Sequence, residues 1–311
     1  MDYSKFRVDN HNNWPAITTS FSENEFRARL QAVGGSPSQL FSPAPLKLLS
    51  DHHYQKCVGR LIDGLVALPE RPDFFFDHCF QIIDSCGAHL NFQGIKGTTQ
   101  GLGPLLIAND PSSWKVVLDS ISSNAPLRTF EYLAKRLVAS NNAPTTSLES
   151  QLSARAASCF GPNRYQALMM KFGLPTQSPR TDITDSNEKK LGLFLRAYLR
   201  AKPKQPKNAA SHVLLDLGKA VNIPSDCKRI ELLLSLLLFQ IRNERAHGVG
   251  MSPFRASKSS MDRYKNYYFQ MLIAYTFALG GMSLRWPESI SAADIAKTMV
   301  KNVQLQNSFF P

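Results

Sequence analysis

The sequence predicts an all-α protein, and three observations lead there. From Pro45 onward apolar residues recur at helical spacing. Helix-start chemistry precedes several of these runs, as at Asp110-Pro111 and Ser225-Asp226. There a short polar side chain accepts from N–H groups that lack a helical partner, and proline is tolerated in the first turn. No segment alternates as a strand would, and no internal repeat is found. The expected architecture is a helical bundle.

The elements follow in order. The first 45 residues are polar, aromatic and rich in turn formers, as in Asn10-His11-Asn12-Asn13-Trp14-Pro15, and only Glu23 to Val33 reads as helical. Leu46, Leu49, Cys57, Leu61, Ile62, Leu65 and Val66 suggest a helix that ends before Pro69. Pro72 opens the next, with Phe75, Phe76, Cys79, Phe80, Ile82 and Ile83 on its apolar side. Asn91 to Pro104 reads as a glycine-rich loop. A helix then runs from Asp110 to about Ser123, and another from Pro126 to Val138. Two more are expected over Leu148–Cys159 and Asn163–Phe172. After the polar break Gly173–Ser186, Asp185 with Glu188 resembles a capping box for a helix to Ala201. Lys202 to Lys207 is a basic turn, and Ala209 to Val221 reads as helical. Ser225-Asp226 caps a strongly apolar helix, Ser259 with Asp262 caps a long one, and Ala292 to Val303 forms a last short one.

At 311 residues the chain has core material for one large domain or two ordinary ones. The stretch 139–147, rich in Ser, Asn, Thr and Ala, is the best linker candidate. It separates a helical N-terminal region, residues 1–140, from a helical domain over residues 145–311, unless the two pack as one continuous compact unit. Hydrophobic content of 43% and charged content of 19% describe a soluble globular protein. Five scattered cysteines with no CxxC pair fit a reducing, cytoplasmic compartment. Met1 to Lys5 has no apolar run after a basic patch, so no signal peptide is expected. The run Ile230–Ile241 is too short for a bilayer, and Gln270, Thr276, Ser283 and Gly280-Gly281 interrupt Tyr267–Leu284. Both read as buried core helices, with no membrane partner.

Net charge is +12 and unevenly spread along the chain. Residues 1–185 carry 17 Lys/Arg against 16 Asp/Glu, whereas residues 186–311 carry 19 against 8. A basic half beside a neutral one points to a polyanionic partner, nucleic acid first. RNA binding is therefore expected in residues 186–311.

The chemistry-bearing stretch lies in that half. The apolar helix from about Lys228 closes on Arg242-Asn243-Glu244-Arg245-Ala246-His247-Gly248. An arginine can grip phosphate oxygens with two parallel hydrogen bonds, and a histidine moves a proton at neutral pH. Residues five apart do not share a helix face, so Arg242 and His247 converge in one chain only if the last turn unwinds, which Gly248 would permit. Arg and His in a last turn also simply complement the helix dipole.

Arg242-Asn243 followed by His247-Gly248, set between a buried helix and a long amphipathic one, resembles the signature of the HEPN superfamily. In that signature four to six residues separate an arginine from a histidine, and a polar residue follows the arginine. The segment from Ser257 to Ser260 into a tyrosine-rich helix is also similar, and the resemblance covers about residues 185–285. It implies an α-helical, metal-independent endoribonuclease of toxin, antiviral-defence or RNA-processing type, without a cofactor. Arg242 would hold the scissile phosphate, His247 would act as general base or acid, and Asn243 would position the histidine or the phosphate. A homodimer with a composite active site is implied, as is control by an antitoxin or other regulatory protein. Two further readings stay open: a non-catalytic HEPN-like interaction or RNA-binding module, and a duplex-DNA-binding helical protein.

Around this kit, Arg245 is a secondary phosphate contact, and Arg255, Lys258, Arg263, Tyr264 and Lys265 form an RNA track. Tyr267 and Tyr268 are its further stacking rings, unless the tyrosines are core edges. Weaker candidates are a zinc site on Cys79, Cys86 and His89 with His52, His53 or Cys57, and the loop Gly94–Gly101 as an RNA contact. A second basic cluster, Arg196, Arg200, Lys202, Lys204 and Lys207, reads as a solvated face.

Overall fold

A computed structural model describes residues 2–143, 150–173, 186–202, 213–248, 254–256 and 259–310. Residues 144–147 of the linker, residues 174–185 of the polar break with Asp185, residues 203–212 with Lys204 and Lys207, and Ser257 and Lys258 lie outside these residues. The described residues form helices and no strand, so the protein is all-α. They group into two compact units: residues 1–91 with 241–311, and residues 92–240. This corrects the division at residues 140–145. Helices distant in sequence share a core in the first unit, and a polar linker carries no information about such long-range packing.

The first unit contains α1 (Tyr3–Asn12), α2 (Phe21–Ala32), α3 (His52–Val66) and α4 (Pro72–His89), and later α13 (Met261–Arg285) and α14 (Ala292–Phe309). α1 was not expected. It buries only Phe6 and Asn10, so it carries no apolar stripe, and Asp2 starts it by accepting from the N–H groups of Ser4 and Lys5. α2 has a full capping box between Ser20 and Glu23. α3 begins at His52, capped by Asp51, because the chain before it is tied to distant groups instead: Lys47 N–H donates to Ser289 O at 3.0 Å. Asn302 brackets Ser42, accepting from its N–H at 2.7 Å and donating to its carbonyl at 2.9 Å, and Ala44 N–H donates to Tyr275 Oη at 2.8 Å. α13 is the centre of this unit and is buried continuously from Tyr268 to Ser283. Its Gly281 lets α4 approach closely, since a Cβ there would lie 3.1 Å from Cys86 Cβ.

The second unit contains α5 (Gly94–Asn109), α6 (Pro111–Asn124), α7 (Leu127–Asn141), α8 (Gln151–Phe160), α9 (Pro162–Phe172), α10 (Ser186–Arg200) and α11 (Asp226–Glu231). α5 corrects the expected loop. Its glycines serve close packing: a Cβ at Gly101 would strike the Phe92 ring at 2.2 Å, and one at Gly103 would meet Ile230 at 3.1 Å. The hydroxyls of Thr98 and Thr99 donate to carbonyls of their own helix, so they are not RNA contacts. The helix expected over Ala209–Val221 is instead two short 3-10 turns in its described part. Local side-chain bonds compete with helix there: Asp216 Oδ1 accepts from Gly218 N–H, and Asn222 Nδ2 donates to the carbonyls of Val213 and Asp216.

After α11 the apolar run Leu232–Leu238 is a π-helix, and α12 (Phe239–Ala246) completes the motif helix. Every residue from Leu232 to Leu238 is fully buried. A π turn changes which carbonyls are matched. Arg155, itself buried, takes up one of them by donating Nε–H to Ser235 O at 3.1 Å, with Nη2 on Gln240 Oε1 at 3.0 Å. Burial pulls its pKa down to about 10. No helix among the described residues is long and apolar enough to cross a membrane.

Candidate functional site

The site is built on the end of α12. The boundary between the units falls within this helix, after Gln240, so Arg242 to His247 belong to the first unit. Ile241 is buried, Arg242 and Asn243 are half-buried, and His247 is exposed. Gly248 adopts φ +70°, and its N–H donates to Arg245 O at 3.1 Å, which ends the helix where the glycine predicts.

The last turn does not unwind before His247, whose N–H still donates to Asn243 O at 3.0 Å. This is the regular four-residue bond, so the expected convergence does not occur by unwinding. At 3.6 residues per turn, Arg242 and His247 point about 140° apart around the axis, whereas Asn243 and His247 are about 40° apart. Asn243 links the two directions, because its Oδ1 accepts from Arg242 Nη1 at 3.3 Å. One chain thus presents a braced arginine–amide pair with an exposed histidine one turn after it. It does not aim arginine and histidine at one point.

Arg245 has another role than the one expected. Its Nε and Nη2 donate to the two oxygens of Asp77 at 2.7 and 2.5 Å, and Nη1 lies 3.2 Å from Asp73 Oδ2. Only 13% of its side chain is exposed. Burial opposes its charge, but the hydrogen bonds and charge of Asp77, with Asp73 behind, outweigh that and raise its pKa. Asp73 also receives two bonds of 2.9 Å from Arg71. A guanidinium committed in this way cannot also fork onto a phosphate, so Arg245 anchors α12 to α4. The two aspartates went unrecognised in the sequence, although their four-residue spacing on α4 puts both on one helix face.

Tyr264 is corrected as well. It is 1% exposed, its ring stacks on Phe254 at 4.0 Å and tilts on Phe26 at 4.5 Å, and its hydroxyl donates to the carbonyl of Glu70. Neither face is open to a base. Tyr268 is fully buried with its hydroxyl on the Pro69 carbonyl, so the tyrosines of α13 at 264 and 268 belong to the core. Burial raises the pKa of the half-buried Tyr267, whose surroundings include Asp73, Arg245 and Arg263. Arg263 and Lys265 are half-buried on the first turns of α13. Arg255 lies elsewhere, against Phe6 of α1.

The zinc candidate is not assembled. Cys79 is fully buried in the core, and the Cys57 and Cys86 thiols hydrogen-bond to each other. His53 and His89 meet edge to face at 4.9 Å. Among the described residues no group of three or more His, Cys, Asp or Glu is placed to hold a metal. In the second basic cluster Arg200 donates to Ser122 O, and with Lys202 it lines a cavity of about 310 Å³ that also holds Asp119 and Asp226.

Grouping by unit also reverses the charge argument. The motif-bearing unit has 17 Lys/Arg against 14 Asp/Glu, a net of +3, and the other has 19 against 10, a net of +9. Comparison with protein-family models, curated proteins and solved structures finds no match.

Proposed function

We propose that this protein is a metal-independent endoribonuclease whose active site is formed by Arg242, Asn243 and His247. One observation carries the reading. A glycine-stopped helix end carries an exposed histidine one turn after an arginine–amide pair, while a neighbouring arginine is spent on holding that helix end in place. RNA brings its own nucleophile, so the protein need only move protons and stabilise charge. His247 takes the 2′-OH proton, the O2′–P bond forms and the P–O5′ bond breaks. Arg242 neutralises charge on the phosphate oxygens, and Asn243 keeps the guanidinium oriented. The products are a 2′,3′-cyclic phosphate and a 5′-hydroxyl.

The leaving oxygen needs a proton from a second group. Glu231 is unsuited, because it is 7% exposed and paired with Lys228 at 2.7 Å. The angular separation of Arg242 and His247 on α12 favours two copies of the chain around one cleft, each supplying what the other lacks.

The test is incubation of purified protein with total RNA in excess EDTA, beside His247→Ala. Cleavage in EDTA that disappears in the variant, with circular dichroism unchanged, is expected. Cleavage that chelation abolishes and zinc or magnesium restores would refute this mechanism. An inert wild-type chain that binds RNA would favour the interaction-module reading instead, and preference for duplex DNA would favour the third.

A further inference from the structure

A cavity of about 590 Å³ opens in the first unit, lined by Arg7, Asn10, His11, Trp14, Ile17 and Arg255. Its size suits one small organic ligand. The lining is basic and aromatic and contains no carboxylate. Among the described residues neither Arg7 nor Arg255 has a carboxylate partner, and their positions are set by neutral contacts. Arg7 Nη1 donates to Arg255 O at 3.1 Å, Arg255 Nη1 reaches Thr18 O at 3.4 Å, and the Arg255 guanidinium lies 5.5 Å from the Phe6 ring centre. Two cations thus line one cavity with no carboxylate partner among the described residues.

The aromatic wall is also pinned. Asn10 is buried and makes three bonds to Thr18, accepting from its N–H at 2.7 Å and its hydroxyl at 2.9 Å and donating to its carbonyl at 3.2 Å. These bonds fold the turn after α1 back on the helix. Trp14 sits in that turn 74% exposed, while Trp114 and Trp286 are 0% and 7% exposed. A large ring held in water at the mouth of a basic cavity fits a ligand that joins a flat aromatic face to an anion.

We propose that this cavity binds one nucleotide of single-stranded RNA, with the base stacked on Trp14 and its phosphate against Arg7 and Arg255. An unpaired strand is required, because bases in a duplex present no free face. The proposal rests on the ribonuclease reading only for the source of the ligand. Residue 255 is eight positions past His247, and α1 lies outside the region where the linear charge pattern placed RNA binding.

The experiment uses the full chain carrying His247→Ala, so that RNA stays intact, and titrates it with a uridine hexanucleotide. Saturable quenching of tryptophan fluorescence is expected, since Trp14 is the one tryptophan open to solvent. Trp14→Ala should remove the quenching and weaken binding of a labelled hexanucleotide, read by anisotropy, about tenfold. Trp14→Phe, which keeps a ring, should lose the quenching and retain most of the affinity. Arg7→Gln should weaken binding without removing the quenching. Undiminished binding by Trp14→Ala overturns the proposal. So does equal binding of an abasic ribose-phosphate strand or of polyphosphate, and uridine monophosphate binding as tightly as the hexanucleotide overturns the strand as ligand. Quenching by RNA in a chain that cleaves nothing would remove the catalytic reading and leave this site standing. Cleavage by wild type beside undiminished Trp14→Ala binding would do the reverse.

Discussion

Arg245→Met separates an anchoring role from a phosphate-binding one. Methionine keeps much of the apolar stem and removes the guanidinium. It leaves Asp73, whose side chain is 1% exposed, with Arg71 alone, and Asp77 with no bidentate partner. Removing one member of a buried ion pair costs about 3–5 kcal/mol. Two features reduce this: Asp77 is 35% exposed, so water compensates it in part, and Asp73 keeps both bonds from Arg71. The expected loss is about 2–3 kcal/mol. The assay is urea unfolding in a Trp114→Phe background, where the remaining tryptophans, Trp14 and Trp286, both report on the first unit. A cycle with Asp77→Ala should show coupling of about 1–2 kcal/mol. If Arg245 were instead a phosphate contact, Arg245→Met would leave stability within about 0.5 kcal/mol and lower the salt slope of RNA binding by roughly one. That pair of results would refute the anchoring argument.

Three other outcomes are expected. Gly64→Ala should destabilise the first unit by about 1–3 kcal/mol in the same unfolding assay, because its Cβ would lie 2.2 Å from the buried Phe75 ring. Asp110→Ala should cost about 1 kcal/mol by removing the cap of α6. The Ser113 N–H, then the Ser113 and Ser112 hydroxyls, hold the Asp110 carboxyl below its ordinary 3.8. A depressed carboxyl pKa contributes stability above its unfolded value and loses it as pH falls through the folded one. Variant and wild type should therefore differ at neutral pH and converge only as pH falls below 3.8 and through the lowered folded value in acid unfolding curves. Light scattering should give about twice the 34.7 kDa chain mass, and a monomer with full cleavage activity would remove the two-copy site.

Much of the fold was legible in the sequence because its signals are local. Pro72, Asp110-Pro111 and Ser225 each start a helix where the chain requires one, and Gly248 stops one with a positive φ. A cap needs only the next three residues, and an apolar stripe needs only one face of one helix. The arginine, amide and histidine of α12 could be named for the same reason: their chemistry is written in their identities.

Tertiary structure decided what those residues face. A π-helix over Leu232–Leu238 changes the rotational phase of everything after it, so the direction of Arg242 could not be counted from Ile230. Aspartates 168 and 172 positions away turned Arg245 into an anchor, and Phe26, Phe254 and Glu70 took Tyr264 into the core. Packing also made a helix of glycine-rich α5 and joined residues 1–91 to 241–311, which moved the positive excess away from the motif. Identity and local capping travel with the sequence. Burial, pairing and orientation depend on which distant segments arrive beside a residue, and that is settled only when the chain closes on itself.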